Sequence, residues 1–234
     1  MAWQINPPQH SVTFIVKGEF KISPNNEATP AEEPCLITGN IHFEDDEEKS
    51  CYYDSDLAYF KPHTDLLLVG TCYSPTKEPI KACSVTFQVG NHIKSLNVFG
   101  DRYRYGPLNS VSTPMHFTQI ALRYENSYGG SNYTANPLGK GHSKQNNQCE
   151  EKWPLPNIED PGYPLTASIS PPEPAGFGPL DPMWQQRYSK LGTYNEQWLK
   201  NRWPYFPEDF NWQHFNAAPK DMQVAGYING DESL

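Results

Sequence analysis

Seven histidines, at positions 10, 42, 63, 92, 116, 142 and 214, are where a search for metal chemistry begins. None forms a His-x-x-x-His or His-Glu-x-x-His pair, the spacings that place two ligands on one helix face. His42-Phe43-Glu44 and His63-Thr64-Asp65 each set two ligand-type side chains two residues apart, on one side of an extended strand. Two ligands fall short of the three or four that protein metal sites use. Nucleophilic chemistry finds no Gly-x-Ser-x-Gly elbow. Gly139-Lys140 lacks both the glycine five residues earlier and the following Ser or Thr of a phosphate-cradling loop. Glu159-Asp160 and Glu208-Asp209 offer carboxylate pairs for glycoside hydrolysis, yet both sit beside prolines and suit turns equally well. Cysteines 35, 51, 72, 83 and 149 are odd in number and contain no Cys-x-x-Cys, so reduced, mostly buried thiols are expected and not a disulfide framework. No cofactor or metal is implied.

The elements that would position such residues read mostly as strands. Alternating apolar and polar residues predict strands over Val12–Ile22, Leu36–Phe43, Leu66–Tyr73 and His116–Glu125. The clearest signal is Ile80–Val98, two runs meeting at Gly90-Asn91, a dipeptide suited to a two-residue hairpin turn. Pairing across that turn sets Cys83, Val85, Phe87 and Val89 opposite Val98, Leu96, Lys94 and His92, a largely apolar face. The acidic run Glu44–Glu48 lacks the spacing of a calcium loop and reads as a solvated tip. From Tyr128 to Pro182 neither period persists, and Gly, Asn and Pro alternate with spaced aromatics. Disordered chain is poor in aromatics, so this part is expected to wrap on the sheet in irregular but ordered form, with a mobile loop near Lys140–Glu151. Two short helices follow. Asp181 and Pro182 open the first and Gly192 ends it. Thr193-Tyr194-Asn195-Glu196 has capping-box spacing for the second, which Pro204 stops. Trp184, Tyr188 and Leu191 fall on one face of the first helix.

The resulting fold class is mostly β: an antiparallel sheet or β-sandwich with an irregular, Pro- and Gly-rich C-terminal half and two short α-helices. One domain of 1–234 is expected, strand-rich over 1–125 and irregular over 126–234. A formal net charge of −9 with scattered Lys and Arg argues against a nucleic-acid partner, which needs a basic patch. The longest apolar run, Leu66–Val69, is far too short to span a bilayer, and the first residues lack the features of a secretory signal. A cytoplasmic protein is expected.

A series of motifs then resembles the domain of unknown function 2169 family. It begins with Lys61-Pro62-His63-Thr64-Asp65 and continues through Val98-Phe99-Gly100-Asp101-Arg102 and Tyr124-Glu125-Asn126-Ser127-Tyr128-Gly129-Gly130. Asn136-Pro137-Leu138-Gly139-Lys140-Gly141, Leu155-Pro156-Asn157-Ile158-Glu159-Asp160-Pro161 and Pro174-Ala175-Gly176-Phe177-Gly178-Pro179 follow in order, then Trp184 and Phe215-Asn216-Ala217-Ala218-Pro219. Asn126-Ser127-Tyr128 departs from the Arg-Ala-Phe expected there. The resemblance covers about three quarters of the chain. It implies a bacterial, non-catalytic adaptor or chaperone of the type VI secretion system, which binds a secreted effector and helps load it onto the spike (the trimeric spike protein or its PAAR-type tip). The motif residues are rich in Gly, Pro and Asn and are expected to shape backbone. A metal- or carboxylate-dependent hydrolase and a carbohydrate-binding module are the alternatives.

Protein interfaces concentrate binding energy in Trp, Tyr and Arg. The densest such cluster runs through Trp198, Arg202, Trp203, Tyr205 and Phe206, stiffened by Pro204 and Pro207. It is the expected partner-binding segment; the competing reading is that these side chains seal the core.

Overall fold

The computed structural model describes residues 1–3, 9–31, 33–106, 110–142, 152–165 and 171–226. Its centre is the hairpin of Ala82–Val89 and His92–Phe99. Cys83 pairs with Val98, Val85 with Leu96, Phe87 with Lys94 and Val89 with His92, the register that the alternation predicts. Gly90 takes a φ of 56°, a left-handed conformation that costs glycine nothing. Ile158–Glu159 adds a third antiparallel strand at the free edge of His92–Phe99, setting Ile158 beside Val98 and Glu159 beside Asn97.

Strand alternation gives this sheet two unlike faces. On one, Leu96, Val98 and Ile158 pack with Cys72, Leu122, Ala175 and Phe177. On the other, Ser84 bonds Asn97 and Thr86 meets Ser95, both at 2.8 Å and both exposed. The strand pair Thr71–Tyr73 and Gln119–Ala121 closes over the apolar face. Thr64–Asp65 pairs with Gln223–Val224, and Leu66, Ala218, Met222 and Val224 form a second core against Phe87 and Val89. A third gathers Tyr124, Leu180 and Trp184. The chain is therefore mostly β and chiefly antiparallel. Among the described residues the α-helices are Gln185–Tyr188 and Glu196–Asn201.

Several elements are shorter than the sequence pattern predicts. Within Val12–Ile22 only Ser11–Val12 and Phe20–Lys21 are strand. The alternation there is inverted. Thr13 donates to the Tyr59 carbonyl and Lys17 reaches Asp56 at 3.0 Å, so the polar row faces the body and Val12, Phe14 and Val16 face outward. Of Leu36–Phe43 only Ile41–His42 is strand. Leu66–Tyr73 yields Thr71–Tyr73, because the Leu66 and Leu68 amides bond the Met222 and Phe177 carbonyls in passing segments. His116–Glu125 keeps Gln119–Ala121 and then tightens into the 3₁₀ turn Tyr124–Asn126.

Both helix openings differ from the predicted caps. Asp181 accepts from the Met183 amide at 2.7 Å and its carbonyl from Trp184. It thus builds a turn ahead of the helix, whose N-cap is Trp184. With one turn of helix, Tyr188 falls on the outside and not on the buried face with Trp184. The second helix is capped by Asn195, whose side chain accepts from the Trp198 amide at 2.9 Å. Thr193 is instead held by Asp209, through its amide at 2.9 Å and its hydroxyl at 2.7 Å. Gly192 does take a positive φ, 78°. The acidic run caps the hairpin of Ile41–His42 and Cys51–Tyr53, with Glu44 at φ 64° and Asp45 at φ 53° making the reversal. Residues 143–151 of the expected mobile loop, Cys149 among them, lie outside the described residues.

Candidate partner-binding site

Several side chains with the chemistry of acids and bases are engaged in holding the fold. His42 Nε2 lies 3.0 Å from Asp181 Oδ2, whereas Glu44 turns to Arg123 at 2.9 Å, so the His42-Phe43-Glu44 spacing gathers no shared site. Asp65 receives Lys61 Nζ at 2.9 Å, Asn216 Nδ2 at 2.8 Å and the Ala217 amide at 2.9 Å. Glu159 is buried against Arg102 and also accepts from the Leu165 amide, while Asp160 bonds the Gly162 amide at 2.7 Å in the Pro161 turn. Asp209 holds Thr193, and these bonds keep its carboxyl below the usual carboxylate range. Glu125 accepts from the Ser50 amide and hydroxyl at 2.8 and 2.7 Å. Burial, with Asp54 and Asp181 nearby, pushes the Cys51 thiol up to about 12, which leaves little of the thiolate that a nucleophile needs. Among the described residues no three His, Cys, Asp or Glu gather as metal ligands.

Long-range ties of this kind explain the motif residues. Arg102 bonds Glu159 and the Pro156 carbonyl and lies over the Phe99 ring, its Cζ 3.9 Å from the centroid. Asn157 Nδ2 bridges the Phe99 carbonyl and Asp101 Oδ1, each at 3.0 Å. Asn136, fully buried, donates to the Tyr124 and Tyr128 carbonyls at 2.8 and 3.0 Å, and its own carbonyl accepts from the Gly130 amide. That close crossing dictates two glycines. A Cβ on Gly129 would stand 2.2 Å from the Asn136 carbonyl oxygen, and one on Gly139 would stand 2.4 Å from Asn136 Nδ2. Pro137 is half-buried in the same crossing, and Gly141 pairs with Gly129 in a parallel bridge. Gly176 passes beneath the Tyr124 ring, Phe177 is buried against Phe87, and Trp184 meets Tyr124 edge to face at 5.2 Å. Pro62 is half-buried between Lys61 and Asp65. These contacts are all internal to the fold.

The predicted partner segment divides. Trp198 is half-buried and its indole donates to the Tyr205 carbonyl at 2.9 Å. Arg202 Nε donates to the Phe206 carbonyl at 3.2 Å, and these two bonds shape the loop through the cis Trp203–Pro204 peptide. Phe206 belongs to an aromatic cluster, with Phe210 at 4.5 Å, Trp212 at 5.1 Å and Tyr59 at 5.4 Å. Trp3 joins it through Trp212 at 4.9 Å. Tyr205 is half-buried. Trp203 stands apart with 63% of its surface exposed, and Leu199, one helical turn before it, is 59% exposed. Tyr188 and Tyr194 are exposed on neighbouring chain. The exposure of Leu199 and Tyr194, like that of the outward row of Val12, Phe14 and Val16, is not legible in the sequence pattern, because period alone does not say which face of an element is covered.

A shallow recess lined by Tyr128, Tyr163, Glu159 and Glu173 encloses about 200 Å³, open solvent included, below the ~300–1,000 Å³ of small-molecule pockets. Outside that recess, Leu199 on the short helix and Trp203 on the loop that follows it present an exposed apolar pair. No curated protein and no solved structure matches the chain. The model of the family described as an uncharacterized protein conserved in bacteria (DUF2169) matches residues 8–234, and the chain belongs to that family.

Proposed function

We infer that this protein is a non-catalytic adaptor that binds a type VI secretion effector in the bacterial cytoplasm and helps load it onto a spike component. The observation that carries a binding role is Trp203, exposed with Leu199 beside a loop held rigid by the Trp198 and Arg202 bonds. A rigid aromatic anchor loses little entropy on docking, and Trp is enriched among interface hot spots. His42 with Asp181, Arg102 with Glu159 and Arg187 with Asp54 are each committed to a partner across the fold. The assignment to type VI secretion rests on the motif series from Lys61 to Pro219 and on what that family resemblance implies. The test is co-purification from the native host followed by mass spectrometry. Recovery of a secreted effector together with a spike-tip component supports the reading. A preparation that holds neither, while turning over a glycoside or binding glycans, overturns it.

A further inference from the structure

Two of the described cysteines have no part in that reading. Cys72 is the middle residue of the strand Thr71–Tyr73, which pairs with Gln119–Ala121. Cys83 lies near the start of Ala82–Val89, which pairs with His92–Phe99. The two residues thus belong to different sheets. Their Sγ atoms nevertheless lie 3.1 Å apart, inside the core formed by Leu96, Val98, Leu122, Ile158 and Phe177. Both are free thiols. Sulphurs in contact across a layer boundary need close by only about 1 Å to reach the bond length of about 2.05 Å.

We propose that Cys72 and Cys83 form an oxidative modification site, which hydrogen peroxide closes into a disulfide that staples the strand Thr71–Tyr73 to the central hairpin. Cys83 is the less buried of the two, so its thiolate meets the oxidant first. Its sulphur attacks one peroxide oxygen, the O–O bond breaks, and the departing hydroxide takes up the proton that the thiol released, leaving Cys83 sulfenic acid and one water. Cys72 then gives up its proton. Its sulphur displaces hydroxide from the Cys83 sulphur, the S–S bond forms, and proton and hydroxide leave as a second water. Two thiols and one peroxide become one disulfide and two waters. Both sulphurs are oxidised and both peroxide oxygens are reduced. Burial and the Cys83 hydrogen bond push the Cys72 thiol up to about 12, so closure is slow near neutrality and quickens as pH rises. Cys51 does not compete, since its thiol is buried and donates to the Tyr53 carbonyl at 3.1 Å.

The experiment treats the full chain with hydrogen peroxide, blocks remaining thiols by alkylation in denaturant, and digests with trypsin. Lys77 and Lys81 lie between the two cysteines, so their peptides stay joined only through a disulfide, and fragmentation of the linked pair tells Cys72 from Cys51, which shares its tryptic peptide because trypsin spares Lys61-Pro62. The expected result is a Cys72–Cys83 linked pair lighter by two hydrogens than the sum of its free peptides. A melting temperature raised by about 5 °C or more, and returned to its starting value by dithiothreitol, goes with it. Methionine sulfoxide survives dithiothreitol, so the reversible part belongs to the disulfide. Cys83→Ala abolishes both signals; should that variant fold poorly, the peptide map of the unaltered chain decides alone. Full alkylation of Cys72 and Cys83 after peroxide, or either of them linked to another cysteine, overturns the proposal.

Discussion

Arg187 Nη1 lies 2.9 Å from Asp54 Oδ1, joining residues 133 positions apart, with both side chains largely buried. The guanidinium reaches Asp54 Oδ2 as well, at 3.3 Å, and donates to the Leu180 and His214 carbonyls. This pair ties the hairpin that carries the acidic run to the first helix. Removing one partner of a buried ion pair leaves the other charged and unsolvated, at a cost of about 3–5 kcal/mol. Asp54→Ala is expected to lower stability by that amount in urea unfolding. A loss below about 1 kcal/mol, the range of surface pairs, would show that Arg187 finds water instead.

Asn136 makes a second such test, this time of the motif glycines. Asn136→Ala strands the Tyr128 carbonyl and takes one of two donors from the Tyr124 carbonyl, which keeps the Ser127 amide, and is expected to cost about 1–3 kcal/mol. Gly139→Ala adds one methyl into a space where Asn136 Nδ2, the Ser127 carbonyl oxygen and Gly129 Cα stand 2.4–2.8 Å away, and is expected to be at least as damaging. Thermal unfolding of both variants checks this. A Gly139→Ala protein as stable as the parent would mean that the crossing is looser than described.

His214 gives stability a pH dependence. Burial is the main cause that holds its imidazole below the usual pKa of about 6.5, and Nδ1 lies 3.0 Å from the Arg187 carbonyl. The folded state thus favours neutral histidine. Below about pH 6.5 the unfolded chain gains a proton that the folded chain resists, so this contribution is whole above that value and is lost as pH falls through the lowered folded pKa. Chemical denaturation between about pH 7 and pH 5 should show falling stability, with a smaller fall in His214→Gln. Equal slopes in the two proteins would remove His214 from the account.

The central hairpin was legible because its information is local: alternation fixes the buried face and Gly90-Asn91 fixes the register. The fold class followed from it. Thr193 was misread because its hydroxyl is claimed by Asp209, sixteen positions away, a partner that no capping-box rule sees. The same holds for Arg102 with Glu159 and for Cys72 with Cys83, pairs that exist only once the layers stack. Val12, Phe14 and Val16 mark a different limit. Their alternation is real, but Thr13 and Lys17 make the contacts with the body, so the apolar row lies on the open side.

Within the predicted partner segment, Phe206 and Trp203 should behave oppositely. Phe206→Ala empties a place in the cluster of Tyr59, Phe210 and Trp212 and is expected to cost about 3–5 kcal/mol. Trp203→Ala removes an exposed ring and should change stability by no more than about 0.5 kcal/mol. Melting curves of the two variants separate them, and a strongly destabilised Trp203→Ala would return that residue to the core.

The most direct test of an adaptor role is the affinity of the purified effector for the parent protein and for Trp203→Ala, read by calorimetry at matched melting temperature. A hot-spot tryptophan is worth about 2 kcal/mol or more, so the account predicts binding weakened by about thirtyfold or more with the fold intact. Equal affinity for both proteins would contradict it.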